Sequence, residues 1–95
     1  MTTIWKFPLL STGPCEIDVP LPGAIRLVDR DPATGLGAFW AEVHPAAAVK
    51  ARRFEIVGTG HPVPADAEHV GSFVQGDYVW HLFELPEGPG QAGDA

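Results

Sequence analysis

Cysteine and basic charge are scarce in this sequence: one thiol, Cys15, and 6 Lys or Arg against 12 Asp or Glu. One thiol closes no disulfide within the chain and makes no multi-thiolate metal site, which suits a reducing cytosol. A net charge of −6 repels phosphate backbones and anionic lipid, so neither nucleic acid nor a membrane surface is an expected partner. No apolar run approaches the roughly 18 residues of a membrane span. Met1-Thr2-Thr3-Ile4-Trp5-Lys6 also lacks the basic stretch and long apolar run of a secretory signal. The expectation is a soluble intracellular protein.

Room for helices is short as well. Ten prolines and eleven glycines are spread through 95 residues, and few windows are free of both for the roughly 11 residues of a mean helix. Pro45 is placed to open a turn or two of helix at most, because Ala46 to Arg53 runs at once into the alternation of Phe54-Glu55-Ile56. A chain of this length is one domain and buries only about 60–65% of its unfolded surface.

What remains is period-2 pattern. Seven candidate strands run from Thr3 to Leu9, Cys15 to Val19, Ala24 to Asp29, Leu36 to His44, Lys50 to Val57, Val70 to Val74 and Tyr78 to Leu85. Turn residues separate them at Ser11-Thr12-Gly13-Pro14, Pro20-Leu21-Pro22-Gly23, Asp31-Pro32-Ala33-Thr34-Gly35 and Gln75-Gly76-Asp77. This spacing predicts an all-β fold, a small antiparallel sandwich or partly open barrel of about seven short strands. Residues 1–85 form the single β-domain. The stretch 86–95, rich in Gly and Pro, has nothing to bury and is expected to be a disordered tail.

Cys15-Glu16-Ile17-Asp18-Val19 alternates apolar and acidic, the mark of one dry and one wet face. Two strands differ. Leu36, Ala38 and Trp40 oppose Phe39, Ala41 and Val43, and Tyr78, Trp80 and Leu82 oppose Val79, His81 and Phe83. Both faces are apolar in each, whereas a sandwich has one inner face per sheet, so a second subunit is the expected cover.

The loop Gly58-Thr59-Gly60-His61-Pro62 is the main candidate site. It is no dinucleotide fingerprint, because Val63 follows where glycine is needed and Pro62 and Pro64 block a helix. Its N–H groups have the makings of an anion nest, with the Thr59 hydroxyl and His61 as added donors. The competing reading is a turn that needs positive φ. Arg53 belongs to the basic cluster Lys50-Ala51-Arg52-Arg53 and shares a strand face with Thr59, but about 20 Å away at 3.3 Å per residue. A ligand touching both is extended or bridges subunits. Trp80 is the aromatic candidate for stacking on a flat ligand, and core packing is the alternative for it and for Trp5 and Trp40.

His44, His61, His69 and His81 form no helical metal pair, and no metal or cofactor is expected. Ser11, Ser72 and Cys15 are the possible nucleophiles. Gly71-Ser72-Phe73-Val74 is not a nucleophile elbow, and Glu16 and Asp18 read as a wet strand face, so no motif calls for catalysis and none of these residues is expected to be catalytic.

As an ordered set, Ile4-Trp5-Lys6-Phe7, Pro22-Gly23-Ala24, Trp40-Ala41-Glu42-Val43, Phe54-Glu55-Ile56, Gly58-Thr59-Gly60-His61-Pro62-Val63, Gly71-Ser72-Phe73 and Val79-Trp80-His81-Leu82-Phe83-Glu84 resembles an uncharacterised family of small tailed-phage proteins. The chain departs from that family at His44-Pro45, where Asp-Pro is usual, and in its tail. The resemblance implies a gene product made in the host cytoplasm, with no chemistry attached. The expected function is non-enzymatic binding of a small phosphorylated or nucleotide-like ligand by Gly58, Thr59, Gly60, His61, Arg53 and Trp80 in a homo-oligomer, by analogy a sponge for a nucleotide immune signal. The alternatives are a protein-binding accessory factor and a small hydrolase using His61 as general base.

Exposed apolar faces of this size mark interfaces. Light scattering on the purified chain is expected to return at least the mass of a dimer. A clean monomer at micromolar concentration removes the argument for a shared face.

Overall fold

The structure is a computed structural model and describes residues 1–87. It contains seven strands: β1 (Thr3–Pro8), β2 (Cys15–Pro20), β3 (Pro22–Arg30), β4 (Gly37–Val43), β5 (Val49–Gly58), β6 (Glu68–Gln75) and β7 (Tyr78–Leu85). Every strand expected from the sequence is present. Pro45 opens only a turn, and no residue among those described is helical. The last part of the expected tail, 88–95, lies outside the described residues. Pro86 and Glu87 are described, and they rest near Arg53 and Lys50, with Arg53 Nη1 donating to the Pro86 carbonyl at 3.3 Å.

The strands form two antiparallel sheets, β1-β4-β3 and β2-β5-β7-β6. They face each other as an open sandwich with no closed barrel. Alternation decides what lies between them. Phe7, Phe39, Ala41 and Val43 from the first sheet meet Val19, Phe54, Ile56, Phe73 and Leu82 from the second in one buried cluster. Phe39 is its hub, stacked on Phe7 with ring centroids 5.0 Å apart and tilted against Phe54 at 4.9 Å. Pairs of this kind contribute about 0.5–1.5 kcal/mol beyond the area they bury.

Two glycines set how closely the sheets approach. A Cβ on Gly37 of β4 would fall 2.4 Å from Cζ of Phe73 on β6, and one on Gly71 of β6 would fall 2.7 Å from Cγ2 of Val28 on β3. Each is therefore a place where backbone meets side chain across the sandwich. Beside this corner, Gln75 Nε2 donates to the Gly35 carbonyl. At the opposite end, Arg52 of β5 donates to both Glu84 oxygens at 2.8 and 2.7 Å, and its Nη1 donates to the Gly23 carbonyl of β3 at 2.6 Å. One guanidinium thus fastens both sheets, and it lies over the Phe54 ring, 5.4 Å from the centroid.

The second apolar faces lie where the alternation predicts. On β4, Ala38 and Trp40 alternate with the core residues Phe39 and Ala41, Ala38 fully buried and Trp40 half-buried, and Leu27 lies opposite Trp40 on β3. Ile4 and Leu27 are each 49% exposed on this outer surface. On β7, Trp80 and Leu82 point inward, which places Val79, His81 and Phe83 on the outer face of the four-stranded sheet.

The β3–β4 turn is organised by Asp31, a buried carboxylate. It accepts from Lys6 Nζ at 2.7 Å and from the Ala33 N–H at 3.0 Å, while its own N–H donates to Leu36. The Lys6 and Ala33 hydrogen bonds hold the Asp31 carboxyl below its ordinary value. No helix among the described residues is long and apolar enough to cross a membrane.

Two outcomes are expected. Gly37→Ala should lose about 1–3 kcal/mol by overpacking against the buried Phe73 ring, and Tm should fall by about 4–8 °C for each kcal/mol lost. Phe73→Leu in the same chain should restore part of that loss in thermal melts. Asp31→Asn should be less stable than the parent at neutral pH. A depressed folded-state carboxyl adds stability above its unfolded value of about 3.9 and loses it as pH falls through the folded value, so the gap between the two melting curves should close in acid below about pH 4.

Candidate functional site

Pro14 has no N–H to give a sheet ladder, and the pairing of β2 with β5 begins only at Cys15 opposite Phe54. The next residues of β5, Glu55 to Gly58, have β7 on one side and no strand on the other. Along this free edge runs a cleft of about 490 Å³, bounded by Thr12 of the β1–β2 connection, by Glu55 to Gly58, by His61 and Pro62, and by Trp80.

The loop after β5 is a tight turn and also the rim of this cleft. Gly60 has φ +92°, a left-handed conformation that L side chains rarely adopt. The His61 N–H donates to the Gly58 carbonyl at 3.0 Å, and the Thr59 N–H to Val79 at 3.3 Å. The Thr59 N–H is therefore engaged by β7 and the His61 N–H within the loop, so neither is free for an anion. The expectation of a nest built from all the loop N–H groups is corrected to that extent. A Cβ on Gly58 would lie 3.2 Å from Trp80 Cζ3 and 3.4 Å from His61 Cδ2, so glycine here lets indole and imidazole close over the strand end.

Trp80 is the unusual wall. Its indole N–H is buried with no hydrogen-bond partner among the described residues, and a buried donor without an acceptor costs about 1–3 kcal/mol. The same ring separates the cleft from a smaller pocket of about 100 Å³ that it shares with Leu36, Ile56 and Phe73.

Gly58, His61 and Trp80 thus come together at the cleft, Gly60 lies outside its lining, and two other expected residues do not join them. Arg53 lines a different hollow of about 520 Å³ with Lys50, Arg52, Asp66, Glu68, Glu84 and Glu87. Carboxylates offset the cations there, and Arg52 is already paired with Glu84. The Thr59 hydroxyl turns away from the cleft onto the outer face of the four-stranded sheet. There it donates to the Val79 carbonyl at 3.1 Å and lies 3.0 Å from His81 Nε2.

That outer face holds a cluster the sequence reading did not assemble. Ser72 Oγ lies 2.8 Å from His81 Nδ1 and 3.1 Å from His69 Nε2. The His69 ring meets the edge of Phe83 with centroids 5.4 Å apart. A signal for it exists in the sequence: Gly76-Asp77 makes a two-residue hairpin, and counting back from Gln75 opposite Tyr78 sets Ser72 directly opposite His81. The other possible nucleophiles are poorly placed. Burial pushes the Cys15 thiol up, which keeps it protonated, and Ser11 Oγ accepts the Gly13 N–H at 3.1 Å to brace its turn. No group of three or more His, Cys, Asp or Glu among the described residues is placed to hold a metal ion.

Two small antiparallel sheets with an edge cleft and a histidine-bearing face define a class of compact β-domain. Within that class, residues 1–92 match the family described as domain of unknown function DUF7352, and the chain belongs to it. No curated protein and no solved structure matches it.

Proposed function

We propose that the edge cleft is a non-enzymatic binding site, which takes a small nucleotide-like ligand and holds it without converting it. The observation that supports this most directly is Trp80, a flat aromatic ring that walls the cleft. A ligand that offers a flat ring stacks on the part of the indole that walls the cleft. His61, on the rim of the same cleft, supplies a donor for a phosphoryl group. Since Arg53 lines another hollow of the same subunit, only an extended ligand or a second subunit brings an arginine to the cleft, which keeps the homo-oligomer in the reading. The resemblance to phage proteins adds the context of a product in the host cytoplasm that sequesters a nucleotide-derived immune signal.

A second reading is supported by the free edge of β5. An extended peptide adding to Glu55–Gly58 would continue the sheet from the point where β2 stops, making the chain a protein-binding accessory factor. His61, with no side-chain hydrogen bond to its ring among the described residues, lacks the oriented partner that a hydrolase using it as base would need.

A thermal-shift screen of cyclic and ADP-ribose-type nucleotides tests the first reading. A ligand at a hundredfold excess over Kd should add about 2.7 kcal/mol of stability. Trp80→Leu, which keeps an apolar packing group and removes the flat ring, should weaken binding by about 1–3 kcal/mol, roughly tenfold to a hundredfold. No shift with any nucleotide, together with saturable binding of a synthetic extended peptide competed by substitutions at Glu55 to Gly58, would favour the second.

A further inference from the structure

With both imidazoles neutral, the cluster on the outer face has only one arrangement of protons that satisfies every contact. The Val79 carbonyl can only accept, so the Thr59 hydroxyl proton points at it across 3.1 Å. Reversing that hydroxyl would set two acceptor oxygens against each other. Thr59 Oγ1 must then accept from His81, which puts the ring proton on Nε2 at 3.0 Å. His81 Nδ1 is left as a bare acceptor, and the group 2.8 Å from it is the Ser72 hydroxyl. Ser72 Oγ in turn accepts from His69 Nε2–H at 3.1 Å. The order is His69 to Ser72 to His81 to Thr59 to the Val79 carbonyl, each donor carrying one proton.

We propose that Ser72 is a nucleophile with His81 as its general base, and that this face takes small uncharged esters with an apolar acyl group. A nucleophile hydrogen-bonded to a base that a third group orients is the recurring geometry of covalent catalysis, and it is recognised by roles, without regard to sequence motif. Ser72 is exposed, as attack on a substrate requires. Val74 and Val79, 60% and 40% exposed, pair with each other beside it, and Phe83 packs on His69, which supplies an apolar surface for the acyl chain. The acidic chain disfavours anionic esters.

In the reaction, Ser72 Oγ bonds to the carbonyl carbon while its proton passes to His81 Nδ1. The carbonyl electron pair moves onto oxygen. Collapse restores the carbonyl and expels the alcohol, which takes the proton from His81. Water activated by the same base then cleaves the acyl-serine, so ester and water become acid and alcohol. Thr59 is a positioning residue: it fixes the His81 tautomer and supports the imidazolium.

The test is covalent labelling of the full chain with an alkyl fluorophosphonate, read by intact mass and peptide mapping. One phosphonyl group is expected, on Ser72, with loss of fluoride. Ser72→Ala should abolish it, and His81→Gln should slow it by about a hundredfold or more. Thr59→Val should also slow labelling and Thr59→Ser restore it, with circular dichroism showing each variant folded. Nitrogen NMR of the unmodified chain, which needs no variant, should show His81 as the Nε2–H tautomer. Absence of an adduct, an adduct elsewhere such as Ser11, an unchanged rate in His81→Gln, or the opposite tautomer overturns the assignment. None of these readouts involves Trp80 or His61, so failure here leaves the cleft reading standing, and failure of the nucleotide screen leaves this one.

Discussion

The sandwich depends on backbone being bare at two points, Gly37 beneath the Phe73 ring and Gly71 beneath Val28. Any side chain there would hold the sheets apart by about the width of a methyl group, and interiors packed near crystal density do not absorb such a gap. With both positions empty, β3 and β6 come together at one corner and Phe39 reaches Phe54 across the interior. At the far end Arg52 supplies the polar counterpart, since its two Glu84 contacts and its bond to Gly23 leave the half-buried guanidinium partnered. Apolar contact at one end and a bidentate ion pair at the other give so small a core its single geometry.

Fold and site differ in how far they were legible. Alternation and turn residues placed the strands because a β-pattern of period two is local, and Gly and Pro mark its breaks. The doubly apolar reading of β4 and β7 followed from the same counting. Sheet order was not legible in this way: β2 pairs with β5, and β1 and β3 both pair with β4, choices made by long-range packing. The site was read as one loop because its residues are consecutive, and a turn in space divides them. His61 and Gly58 face Trp80, Thr59 faces His81, and Arg53 sits over another hollow. The Ser72–His81 pair was within reach of simple counting from Gly76-Asp77, but that requires taking the hairpin register as seriously as the motif search.

Strand β7 connects both chemical features. Trp80 and His81 are neighbours in sequence and point to opposite faces, the first into the edge cleft and the second into the Ser72 cluster. Thr59 follows Gly58 in the same way on the adjoining strand. Cleft and cluster are therefore two sides of one piece of sheet, and the Thr59 contacts to Val79 hold the loop that borders both. Rigid strands position side chains more closely than loops do, and here Trp80, Ser72 and His81 stand on strands, while Thr12, His61 and Pro62 of the cleft stand on loops.

The end of β2 at Pro14 also bears on how the chain behaves when concentrated. A long, flat unpaired strand recruits copies of itself edge to edge and grows into cross-β stacks. The open edge of β5 extends only from Glu55 to Gly58, with an acidic side chain at one end and, beyond the other, a turn followed by Pro62 and Pro64. A short guest segment fits such an edge, whereas an unlimited ladder has no donor to continue from at either proline. The same proline that opens the cleft thus belongs to a set that keeps the exposed edge from seeding fibrils.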